Sequence, residues 1–192
     1  METNIKNNQD QIFRPHIQKA KKMVLGQERP KLFTQIVFYL GVVGTSIFGM
    51  WSTISLLILK FPGYLKSNKQ VDVEAIVGLR ARELGFEGTD FFNKLELFHL
   101  TSTLVWIIIL ISFFLLWRSI KWANVVIIAG IVALTLFTLI LFGPTYLIED
   151  TTTFDKITLL IMLTLSVISH FTMTPKQIEA EEIAPVLESD EA

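Results

Sequence analysis

Twenty-eight consecutive residues without a charged side chain, Leu32–Leu59, constrain this chain more than any other feature in it. A helix needs about 20 residues to cross a ~30 Å hydrocarbon core. At 1.5 Å per residue this stretch reaches roughly 42 Å, so it must tilt or protrude. Three shorter charge-free runs follow, at 97–117, 122–142 and 157–173. In lipid every backbone N–H and C=O must find its partner within the structure, which makes each run a helix. The expected fold is an all-α membrane protein, a four-helix transmembrane bundle that is integral and multi-pass.

The rest of the chain falls into place around those runs. Residues 1–31 form a basic leader, 60–96 an outer loop, and 174–192 an acidic tail of disordered character. Only 18% of residues are charged, against roughly 25% in an average soluble domain, and they gather outside the four runs. A net charge of −1 gives no electrostatic reason to expect a nucleic-acid partner. The absence of cysteine excludes disulfides, thiol catalysis and thiolate metal sites.

Leu32–Leu59 is about twice the length of the apolar core of a secretory signal, so it reads as a retained signal anchor. Ahead of it, Pro15 to Leu25 carries a helix signature: Pro15 at a first helical position, Gly26 at the C-cap, and Ile17, Ala20 and Val24 at helical spacing. Lys19, Lys21 and Lys22 form a basic cluster suited to an anionic membrane surface, or else a solvated leader that sets topology. With the N-terminus inside, ten Lys and Arg flank the inner ends of the spans and seven the outer ends. Both termini are therefore expected on the cytoplasmic side.

Small residues mark the first span. Gly41, Thr45, Gly49 and Thr53 recur every fourth position, a helix-packing stripe that meets either this chain's own later helices or a second copy. In the outer loop, the stretch from Asp72 to Gly85 predicts one short amphipathic helix. Asp72 caps it, Val73, Ile76, Val77 and Leu84 share its apolar side, and Gly85 ends it. Asp90 is the expected N-cap of the next helix, starting at Phe91, and Gly143 with Pro144 is expected to stop the third span. Glu149, Asp150 and Asp155 crowd the final loop; Asp155 suits a helix start, and the three do not spell a calcium loop.

Ionisable and polar side chains near or inside spans are the candidate functional residues. Glu96, His99 and Thr103 share a helix face at the mouth of the second span, a possible proton site or polar path. Ser166 and His170 pair at i, i+4 near the end of the fourth. The two histidines cannot bridge one haem iron. Spans two and four run the same way, and about ten residues of relative rise, roughly 15 Å, place them in opposite leaflets. No catalytic, nucleotide-binding or metal motif is present, and no cofactor is expected.

Three functions stay open on these residues. The first is an accessory or scaffold subunit, held in the lipid bilayer, working through its loop and tails with a protein partner or as a homo-oligomer. The second is a small oligomeric channel or transporter with a path near Glu96, His99 and His170. The weakest is a lipid- or quinone-binding protein with Phe91, Phe92 and Phe98 at the mouth.

Overall fold

The structure is a computed structural model that describes residues 30–120 and 122–172. The basic cluster Lys19, Lys21 and Lys22, the helix expected over Pro15 to Leu25, and the acidic tail lie outside those residues. The described chain is all-helical: α1 Leu32–Lys60, α2 Pro62–Lys69, α3 Val73–Glu83, α4 Gly88–Trp117, α5 Trp122–Glu149 and α6 Thr153–Thr172. Four of these, α1, α4, α5 and α6, are long and apolar enough to cross a membrane. They pack in a ring, α1 on α4, α4 on α5, α5 on α6, and α6 back on α1.

Glycines set the register of that ring by letting large side chains enter. A Cβ at Gly41 would fall 2.1 Å from the Phe113 ring, so the aromatic ring fills the space a side chain would need. Gly44 faces the Met162 sulfur in the same way at 2.8 Å, and Gly130 faces Ile109 at 2.9 Å. In lipid, where apolar burial drives little association, such close approach supplies the packing energy. Around these contacts lie Val37, Phe38, Trp106, Ile109, Phe113, Leu116, Ile127 and Met162, all buried.

Gly41 and Thr45 are buried on this seam and Gly49 is half-buried, but Thr53 is exposed and donates to the Gly49 carbonyl at 2.8 Å. Each four-residue step overshoots a full turn by about 40°. By the fourth member the stripe has rotated off the seam, and Ser52 takes its place there.

The outer loop departs from expectation. It holds two short helices, because Pro62 starts a separate helix at its first position immediately after α1 ends at Phe61. In α3 the Asp72 carboxylate accepts from the Ala75 N–H at 3.1 Å, capping the helix. The far end closes as a Schellman turn. Gly85 at φ 80° donates to the Arg82 carbonyl, and Phe86 donates to that of Ala81.

Three span boundaries also differ. The second long helix begins at Gly88, with Glu87 at the N-cap position but making no side-chain cap bond, and with Asp90 inside its first turn. Gly143 breaks the third where expected, but a second helical stretch follows it directly. The glycine takes φ 77° and ψ 178°, a kink, and Pro144 begins a resumed helical stretch that continues to Glu149. The fourth starts at Thr153. Thr152 accepts from the Asp155 N–H at 3.1 Å, an N-cap bond, while its hydroxyl donates to the Asp155 carboxylate at 2.7 Å.

Candidate functional site

Among the described residues, the loop end of the bundle carries the densest set of charged and aromatic contacts, and α3 is at its centre. One face of α3, with Val73 and Ala81 buried and Val77 half-buried, turns toward the bundle. Ala81 shares a second apolar cluster with Phe91 and Phe142, bordered by Val77, Leu84, Phe86, Leu95, Phe98 and Tyr146. Phe91 sits edge-on to Phe142 at 5.6 Å, and Phe142 stacks on Tyr146 at 4.4 Å. Aromatic pairs in these arrangements add about 0.5–1.5 kcal/mol each beyond the area they bury.

The kink at Gly143 serves this cluster. It carries Tyr146 on the resumed stretch of α5 and Asp150 just past its end, where Asp150 accepts from Arg80 Nε at 2.7 Å. Arg80 also bonds Glu83 at 2.6 Å. Lys94 lies 5.0 Å above the Phe86 ring and pairs with Asp90 at 2.7 Å. The short helix is thereby fastened over the bundle mouth by both apolar packing and charge.

The opposite face of α3 is not covered. Ile76 is 58% exposed and Leu79 61% exposed, three residues apart, with exposed Glu74, Arg82 and Glu83 beside them. The expectation that Ile76 shares the covered side with Val73 and Val77 is corrected. The covered face runs through residues 73, 77 and 81, and Ile76 lies about 100° away from Val77 around the helix.

Each candidate polar residue has a definite place. Glu96 forms an ion pair with Lys60 at the end of α1. Ser52 of α1 donates to the His99 carbonyl at 3.1 Å and lies 3.4 Å from His99 Nδ1. With its proton used on the carbonyl, the Ser52 oxygen is left to accept from Nδ1–H, which favours that tautomer. Thr103 donates to the same carbonyl at 2.8 Å. These three residues share one helix face, and two of them meet α1; the sequence of α4 alone carries no sign of Lys60 or Ser52 as partners.

Ser166 and His170 are at other levels. Ser169, beside His170, accepts from Asn124 Nδ2 at 3.4 Å, which fixes that pair near the α4–α5 hairpin. His99 and His170 thus lie toward opposite ends of the bundle. Thr45, Ser102 and Ser166 are buried and their hydroxyls meet no partner among the described residues. The facing pairs Ser52–His99 and Gly44–Met162 place them at three heights. By helical rise, Ser102 lies above Thr45 and Ser166 lies below it. Trp106, Ile109, Phe113 and Met162 occupy the core over the same range of heights.

The chain matches no protein-family model, no curated protein and no solved structure. Function must therefore be read from its own surfaces.

Phe91 and Phe98, placed at the mouth by sequence, belong to the packed cluster: Phe91 is 1% exposed, and Phe98 stacks on Phe137 at 6.4 Å. Sequence reading missed the outward pair Ile76 and Leu79. A spacing of three on α3 was the available signal, obscured because Val73 and Val77 compete for the same apolar face.

Proposed function

We propose that this chain is an integral membrane accessory subunit that presents the outward face of α3 to a protein partner. The carrying observation is the pair Ile76 and Leu79, exposed on a helix whose other face is already fastened to the bundle. Large apolar side chains rimmed by charge, on an element outside the four apolar helices, have the composition of an interaction surface. Burying an exposed isoleucine or leucine contributes about 1.5–3 kcal/mol each. With both termini on the cytoplasmic side, that partner surface lies on the outer side of the membrane.

The internal contacts support the same reading. Glu96 is paired with Lys60, His99 with Ser52, and the intervening core is filled by aromatic and aliphatic side chains. Such an interior suits a rigid support for α3.

The test is the composition of the particle extracted from native membranes in mild detergent. A complex containing a second protein in fixed stoichiometry, or a fixed oligomer of this chain, supports the proposal. A lone 21.9 kDa protomer that turns over a substrate or carries ion flux overturns it.

A further inference from the structure

Where α1 gives way to α2 the surface opens into an apolar groove of about 440 Å³, lined by Ile54, Leu57, Ile58, Phe61, Tyr64 and Leu65. That volume falls within the roughly 300–1,000 Å³ of ligand clefts. The walls are the outward faces of the last turns of α1 and the first turn of α2, so the groove faces away from the helix ring. Phe61 and Tyr64 are exposed, an aromatic pair at the end of a membrane-crossing helix, where such rings favour the headgroup level.

One cation near this groove is left uncompensated. Helix α2, PGYLKSNK, carries two lysines and no acidic residue. Lys60 is paired with Glu96, and Lys66 with Asp72 at 2.7 Å. Lys69 has no carboxylate partner among the described residues. It follows Leu65 by four positions, one helical turn, and so shares the side of α2 on which Leu65 lines the groove. An apolar slot at the end of a membrane-crossing helix, with one uncompensated cation a helical turn along its wall, matches the two halves of one molecule.

We propose that the groove between α1 and α2 holds one acyl chain of an anionic phospholipid, with Lys69 meeting its phosphate. The chain lies along Ile54, Leu57 and Ile58, and Tyr64 closes the slot at the glycerol level. The inference goes beyond the partner surface on α3 and uses none of its residues.

The experiment is native mass spectrometry of the full chain released from nanodiscs containing equal amounts of dioleoyl phosphatidylglycerol and dioleoyl phosphatidylcholine. Wild-type protein is expected to retain one phosphatidylglycerol over phosphatidylcholine by about fivefold, the preference one lysine at an anionic headgroup gives. Lys69→Gln is expected to bring that ratio near one, and Lys69→Arg to keep it. Ile58→Trp, which fills the slot, is expected to lose the retained lipid of either kind while the helical circular dichroism is unchanged. Equal retention of both lipids by wild type overturns the proposal. So does a preference that survives Lys69→Gln, or retained lipid that survives Ile58→Trp.

Discussion

Arg80 Nε lies 2.7 Å from Asp150 Oδ1, joining the helix over the bundle mouth to the far end of α5 across seventy residues of chain. The bond exists because the Gly143 kink redirects the end of α5, and because the Schellman turn at Gly85 aims Phe86 back onto Ala81. Both partners are part-exposed, at 37% and 28% for their side chains, so solvent screens the pair and its contribution is modest. Arg80→Gln or Asp150→Asn should speed hydrogen exchange of the α3 amides about twofold to fivefold while the core amides of α4 are unchanged. Equal exchange in variant and wild type would show that the apolar cluster alone holds α3.

The α1–α4 seam makes a sharper prediction because its two glycines differ. Gly41 has the Phe113 ring where its Cβ would stand, whereas Gly49 has only the Trp106 Cβ at 3.4 Å. Gly41→Val should destabilise the bundle by about 1–3 kcal/mol through overpacking. Gly49→Ala should be near neutral or stabilising by up to about 1 kcal/mol, since it removes a helix-interior glycine. Pairing Gly41→Val with Phe113→Ala should cost less than the two single changes summed, a coupling read by thermal unfolding in detergent. Strict additivity would place Phe113 elsewhere.

Acid should fray the start of α3 before it disturbs the bundle. Hydrogen bonding with Lys66, then with the Ala75 N–H, holds the Asp72 carboxyl below its ordinary value. A group depressed in the folded state contributes stability that is present above its unfolded value and is lost as pH falls through the folded one. Exchange at the Ala75 amide should therefore rise as pH drops below about 4, after correction for intrinsic rates, and Asp72→Asn should flatten that rise. A pH-independent rate in wild type would contradict the cap's ionic part.

Much of this fold was legible in hydrophobic run length, since α1, α4, α5 and α6 each contain one charge-free stretch. What that signal hid were the polar extensions. Only Asp90 marked the start of that helix, near Phe91; it begins at Gly88, and Phe91, Leu95 and Phe98 hold its polar first turns by packing on the cluster under α3. Pro144 read as a terminator, although a proline at a first helical position is equally a start. At the candidate site, spacing placed Glu96, His99 and Thr103 on one face, but Lys60 and Ser52 as partners depend on the α1–α4 register. Packing of Phe113 against Gly41 sets that register, and no periodicity within a single helix encodes it.

The most direct measurement concerns the outward face of α3. Ile76→Glu with Leu79→Glu changes two exposed side chains and leaves Val73, Val77 and Ala81 in place. The double variant should insert and melt as wild type does, yet its particle extracted from native membranes should lose the stoichiometric second component. An unchanged particle in the variant, with the same component still bound, would contradict the claim that this chain works through Ile76 and Leu79.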